Sequence, residues 1–282
     1  MNVKIDTIAK NLQLGEGCVW DEKRNAIHYI DINCFKVFTY YIETKKIKTF
    51  DIQDYIGCVV LDKENNLIVC ARNKIIKLNV ETGEKIVICT IEQEPHLRFN
   101  DGKCDVNGNL WVGSMPMEIT EENKCTGKLY CIKNNKVVAT HNGFTIPNGL
   151  AWTKDQKTFY HIDTTTHKIF AYDVENEYHI TNKREVVHID EVVGAPDGMC
   201  IDENDNLWVA IWGGSRVICF DPRTGEKIDE IIMSDENITC CTFAGENLDV
   251  MYVTTAENVD MGGLYKVQIN GVRGVIANKY QS

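Results

Sequence analysis

The sequence predicts an all-β protein, a six-bladed β-propeller with four antiparallel strands per blade. A six-residue motif recurs six times along the chain, its copies 41 to 49 residues apart. Each unit that the motif opens holds short apolar runs divided by turns of Gly, Asp, Asn and Pro. No stretch of useful length places apolar residues at helical spacing. Four short strands per unit of about 40–50 residues is the signature of a propeller blade.

The first copy is Glu16-Gly17-Cys18-Val19-Trp20-Asp21, followed by Gly57-Cys58-Val59-Val60-Leu61-Asp62 and Asn100-Asp101-Gly102-Lys103-Cys104-Asp105. The fourth is Asn148-Gly149-Leu150-Ala151-Trp152-Thr153, the fifth Asp197-Gly198-Met199-Cys200-Ile201-Asp202, and Thr239-Cys240-Cys241-Thr242-Phe243-Ala244 is a degenerate sixth. The fifth unit shows the expected blade. After its first strand, the turn 202–206 leads to a strand over 207–211 and another over 216–220. The turn 221–225 then leads to a fourth strand over 227–232. The sixth unit is one strand short, and residues 2–8 are expected to supply it. Pairing the two ends would close the ring and remove its open edges. With no Gly-, Ser- or Pro-rich linker, residues 1–282 are expected to form a single domain.

Composition narrows the function classes. A chain of 282 residues, 44% hydrophobic and 25% charged, is an ordinary globular protein able to bury a sizeable core. Its net charge of −11 argues against nucleic acid or an anionic membrane as partner, because both demand surplus Lys and Arg. The first residues lack a signal-peptide pattern and no run reaches the ~20 apolar residues of a membrane span, so a cytoplasmic protein is expected. A monomer or weak homodimer is anticipated. The 12 cysteines include no C-x-x-C pair, and many lie in strand-like runs, so free buried thiols are expected over disulfides.

In a propeller the first strand of each blade lines the central channel. The six starting residues, Glu16, Gly57, Asn100, Asn148, Asp197 and Thr239, should therefore form a ring. Four of them carry carboxylate or amide side chains. Two buried carboxylates without a counter-charge would be costly, and a hard divalent cation both supplies that charge and accepts such oxygens. One divalent ion is expected, Ca²⁺ first, with Mg²⁺, Mn²⁺ or Zn²⁺ as alternatives. The lack of clustered Cys and His ligands disfavours a structural zinc.

Several stretches resemble one family, the regucalcin (senescence marker protein) and gluconolactonase family. They are Gly15-Glu16-Gly17, Arg98-Phe99-Asn100-Asp101-Gly102-Lys103, Asn148-Gly149-Leu150 and Pro196-Asp197-Gly198-Met199-Cys200-Ile201-Asp202. The resemblance continues through 207–210, 214–218 and 251–254, and so covers essentially the whole chain. It implies a six-bladed propeller with one catalytic divalent metal that hydrolyses a sugar lactone such as gluconolactone. By position, Glu16, Asn148 and Asp197 resemble the metal ligands, while Arg98, Asn100 and Glu118 resemble substrate-binding residues. Pro116-Met117 departs from the family's small and acidic residues, and the loop 117–126 is shorter than in the animal proteins.

The expected chemistry is metal-assisted lactone hydrolysis, with Asp197 as the catalytic base that takes a proton from water and returns it to the leaving oxygen. Other mechanisms lack their parts, since neither G-x-S-x-G nor H-E-x-x-H occurs. Asp105-x-Asn107-x-Asn109 and Asp202-x-Asn204-x-Asn206 look like EF-hand starts but lack the Gly and Glu of that loop, and are expected to be hairpin turns. No histidine has metal spacing. His161 comes nearest to a cavity position, with packing its favoured role, and Trp212 is a candidate pocket wall. The rival readings are a metal-dependent phosphotriesterase or other esterase, and a non-enzymatic calcium-binding propeller.

Overall fold

The computed structural model describes residues 3–281, and these form six four-stranded antiparallel sheets. Five sheets are consecutive in sequence, each opening with an inner strand: Gly15–Asp21, Ile56–Leu61, Leu97–Cys104, Pro147–Trp152 and Ala195–Ile201. These are blades 1 to 5. Blade 6 joins Asn237–Ala244, Val250–Ala256 and Gly262–Gln268 to the N-terminal strand Lys4–Leu12, which lies outermost and antiparallel to Gly262–Gln268. The ring thus closes through its termini as the repeat implies.

The closing strand runs further than residues 2–8. Two register irregularities let it follow its partner as far as Leu12↔Gly262, where Leu12 is buried. Asn2 lies outside the described residues. The added length carries Lys10, whose Nζ meets both carboxylate oxygens of Asp235 at 3.0 Å. Asp235 also accepts from Thr255 Oγ1 at 2.6 Å and Tyr265 OH at 2.7 Å. The blade that closes the ring is thereby clasped by charge-assisted bonds as well as by its ladder.

Apolar side chains fill the wedges between blades. Ala151, Tyr160 and Ile162 of blade 4 pack with Met199, Val209 and Ile211 of blade 5, and the other wedges are built alike. Full burial of each such large side chain contributes about 1.5–3 kcal/mol. The EF-hand-like segments are hairpin turns. Asp202 Oδ1 accepts the backbone N–H groups of Asn204 and Asn206, while its Oδ2 accepts from Asn206 Nδ2 and Trp208 Nε1. Asp105 pins Asn109 and Trp111 in the same way. The cysteines are free, and nine of the 12 are buried at strand positions in the apolar wedges and channel wall.

Blade 1 holds an arrangement that imitates a catalytic triad. Thr39 Oγ1 lies 2.8 Å from His28 Nδ1, and His28 Nε2 lies 3.2 Å from Asp21 Oδ2. All three side chains are buried, so no substrate reaches the hydroxyl. Arg24 adds a 2.7 Å bond to Asp21. Burial alone would raise the Asp21 pKa, but the hydrogen bonds from His28 and Arg24 outweigh it and hold the carboxyl down at about 2. The group is a structural pin.

After the last strand, the tail crosses the end of the channel where the inner strands finish. Glu203 N–H donates to Arg273 O, Asn278 Nδ2 to Cys104 O, Tyr280 N–H to Leu61 O and Gln281 N–H to Gly108 O. This strap requires Gly274, because a Cβ there would stand 2.1–2.3 Å from Phe243 side-chain atoms. Gly274→Ala is expected to cost about 1–3 kcal/mol by overpacking, read as a lowered urea midpoint. An unchanged midpoint would mean the strap is not docked on Phe243. Among the described residues no helix is long and apolar enough to cross a membrane.

Candidate metal centre

Every inner strand breaks register at the same place. The irregularities fall between Glu16 and Val19, Ile56 and Cys58, Phe99 and Gly102, Asn148 and Leu150, Pro196 and Met199, and Ile238 and Cys240. A bulge frees a residue from strict alternation and re-aims its side chain. Six bulges at one depth explain how residues far apart in sequence face one axis. Glycines let the bulges approach closely. A Cβ on Gly149 would meet Asp197 O at 2.8 Å, and one on Gly57 would meet Asn100 O at 2.4 Å. Blade 2 therefore contributes no side chain to the ring.

Glu16, Asn148 and Asp197 are buried, at 9%, 4% and 6% exposure, and Asn148 Nδ2 donates to Asp197 Oδ1. The same Nδ2 reaches Thr164 Oγ1 at 3.1 Å, which fixes the amide's orientation. Its oxygen, Asn148 Oδ1, is left buried with no partner among the described residues. Glu16 accepts the N–H of Gly17 at 3.0 Å. Burial, and then the charge of Asp101, push the Glu16 pKa up to about 8, against the opposing pull of Arg98. Burial raises Asp197 well above the usual carboxylate range, with Glu16 and Asp101 adding to it. An orphaned amide oxygen beside two carboxylates that resist ionisation is a donor set a hard divalent cation fits. Among the described residues no group of three or more His, Cys, Asp or Glu side chains is placed to hold a metal, and this set has two carboxylates and an amide.

Arg98 and Asn100 stand beside this group. Arg98 Nη1 donates to Asn100 Oδ1 at 2.9 Å and to Phe99 O at 2.8 Å, while Asn100 Nδ2 donates to Pro147 O at 3.1 Å. Asn100 thus ties the arginine to the strand that carries Asn148. Burial lowers the Arg98 pKa to about 10, with Glu16, Tyr55 and Asp197 pulling the other way, so it stays charged at neutral pH. Glu118 is not brought into this cluster. It is exposed in the loop after Leu110–Pro116, its carbonyl held by Asn123 Nδ2, at the end of blade 3 where Arg98 also lies.

Two further residues take other places. His161 is fully buried against Phe144 and Phe159, with neither ring nitrogen partnered, and is a packing residue of the wedge between blades 3 and 4. Trp212 is 38% exposed and pairs with Ala195, two residues before Asp197, so it stands at the same mouth as the acids. Thr239 bonds Gly15 O at 2.6 Å and Thr254 Oγ1 at 2.9 Å, sealing blade 6 against blade 1. The residue the repeat reading missed is Asp101. Buried, and bonded to the N–H of Gly102, it perturbs both Glu16 and Asp197.

Known proteins of this form share the whole architecture. A luciferin-regenerating enzyme structure superposes with a TM-score of 0.93 at 28% identity, over 100% of both chains. A gluconolactonase from Xanthomonas campestris gives 0.77 at 19% identity, over 94% of this chain and 89% of that one, a likeness that speaks for the fold alone. Regucalcin of Xenopus laevis is 33% identical over 292 residues, covering 97% of each chain. A family model described as "SMP-30/Gluconolactonase/LRE-like region" matches residues 14–257. The chain belongs to this SMP-30/gluconolactonase/LRE-like family, which includes hydrolases.

Proposed function

We propose that this propeller hydrolyses a sugar lactone to its aldonic acid, with one divalent cation held by Glu16, Asn148 and Asp197. The observation that carries the reading is the buried, unpartnered Oδ1 of Asn148, whose Nδ2 is tied to the carboxylate of Asp197, with Glu16 and a charged Arg98 acting electrostatically on that same carboxylate or its neighbour. The family's inclusion of gluconolactonases and the 33% identity to a regucalcin support it.

The protein's own groups have distinct tasks in this reaction. Among the described residues Arg98 is braced through a single nitrogen, Nη1, which leaves its other N–H groups to hold ring hydroxyls. That favours hydroxylated lactones over bare ones, because an unfilled buried donor is expensive. Asn100 keeps the guanidinium in place, and Glu118 is assigned to substrate from the exposed loop at the same end of blade 3. Asp197 takes the proton from the attacking water and gives it to the ring oxygen as the ester bond breaks, so proton and leaving group balance within one turnover. The cation, when bound, supplies a Lewis acid that polarises the carbonyl and offsets charge on the developing oxyanion.

The test is hydrolysis of glucono-, galactono-, xylono- and arabinono-lactone by chelator-stripped protein, with Ca²⁺, Mg²⁺, Mn²⁺ or Zn²⁺ restored one at a time. Acid release above the spontaneous rate, dependent on the ion, is expected. Binding of metal without acceleration of any lactone would move the assignment to another ester or to a binding role.

A further inference from the structure

Beneath the ring of bulges the channel opens into a chamber of about 100 Å³, floored by the tail residues Val275–Asn278. Its walls are mostly Val, Cys, Gly and aromatic side chains, and only two charged residues line it, Asp101 and Lys103. Both belong to the inner strand of blade 3, which also carries Arg98 and Asn100. Lys103 Nζ donates to Met199 O at 2.7 Å, and Met199 belongs to the inner strand of blade 5, two residues beyond Asp197. Blade 4 lies between these strands in the ring. The lysine therefore braces the channel from blade 3 to blade 5.

We propose that Lys103 is a positioning residue for the metal centre, holding the strand of Asp197 at its working distance from the strand of Arg98 and Asn100 by this brace. The inference rests on the metal-dependent reading above. Lys103 acts through the backbone of Met199, to whose carbonyl its ammonium donates, rather than through a bond to a candidate ligand among the described residues. A charge-assisted bond to a carbonyl in an apolar chamber is among the stronger single tethers a side chain can make. The charge of the same ammonium favours the ionised form of Asp101, so one lysine both braces the strands and balances the third acid of the channel.

The brace and the charge predict opposite outcomes, which makes the proposal decidable. Removing a positive charge from the channel would tighten cation binding by Coulomb attraction alone, whereas removing the brace would weaken it. Calorimetric titration of Ca²⁺ into metal-free Lys103→Met is expected to show at least about tenfold weaker binding than wild type. Lys103→Arg, which keeps the donor and the charge, should come within about threefold of wild type. Adding Asp101→Asn to Lys103→Met should not restore affinity, because the lost element is the tether. Should Lys103→Met fail to fold, Lys103→Gln carries the same expectation of weaker binding. Unchanged or tighter binding in a folded variant, or recovery on adding Asp101→Asn, would overturn the brace while leaving the lactonase reading intact. A wild-type protein that binds no divalent cation would overturn both.

Discussion

Asp197→Asn is expected to lower lactone turnover by about 10³-fold or more at saturating metal while the propeller stays folded. The substitution keeps the shape and one oxygen of the side chain but removes its capacity to take a proton. In the native protein that capacity is unusual for a carboxylate. Burial, with Glu16 and Asp101 nearby, holds Asp197 far above the usual range, so in the metal-free chain it is a strong proton acceptor in a place where ionisation is costly. Coordination would pull the group back toward ionisation, and the balance between the two sets its basicity. Asn148, which donates to the same carboxylate, offers the control. Asn148→Ala should weaken metal binding with a smaller loss of turnover at saturating metal, because it removes a ligand and leaves the base. If Asp197→Asn retained turnover within tenfold at saturating metal, Asp197 would not be the proton acceptor.

The fold was legible because a propeller writes itself into sequence as a period. Each inner strand must reach the axis and each hairpin must turn back, so the motif recurs in every blade and an Asp-x-x-x-Asn turn follows it in four, at Asp21, Asp62, Asp105 and Asp202. The closing strand was legible as a missing member, although its end at Leu12 was not, because that depends on irregularities in pairing with Gly262–Gln268. The candidate ring was legible at the first motif position, where Glu16, Asn148 and Asp197 converge. What stayed hidden followed from the bulges. They bring second and fourth motif positions to the axis as well, and a reading confined to the first passes over them. Among second positions, Gly17, Cys58, Gly149, Gly198 and Cys240 are uncharged and only Asp101 is not. Among fourth positions, Val19, Val60, Ala151, Cys200 and Thr242 accompany one charged residue, Lys103. Comparing every column of the repeat would have singled out both. Glu118 is the opposite case, a loop residue outside the period, and nothing in the repeat could say how close to the cavity it lies.

Glu16→Gln is expected to make the metal-free protein more stable above neutral pH while abolishing the stabilisation that added metal gives. The cause is the same desolvation that prepares the site. Glu16 has an ordinary value of 4.5 in the unfolded chain and is pushed up to about 8 in the folded one by burial and then by Asp101. A raised acid binds its proton more tightly when folded, so its contribution is complete below the unfolded value and is lost as pH rises from about 4.5 through about 8. The loss is on the order of 5 kcal/mol for a fully desolvated group with such a shift. Asp101 and Asp197 are raised too and slope the same way, so the difference between wild type and Glu16→Gln at each pH is the quantity that isolates Glu16. Melting temperatures between pH 5 and 8.5, in chelator, should fall for wild type and fall less steeply for the variant, so that the curves diverge toward alkaline pH. Saturating Ca²⁺ should raise the wild-type curve most where Glu16 would otherwise be forced to ionise unpaired, and should leave the variant nearly unmoved. Parallel metal-free curves would show that Glu16 ionises at little cost in the fold. The buried acids would then not be a site held in readiness for a cation, and the case for a metal centre would lose its electrostatic basis.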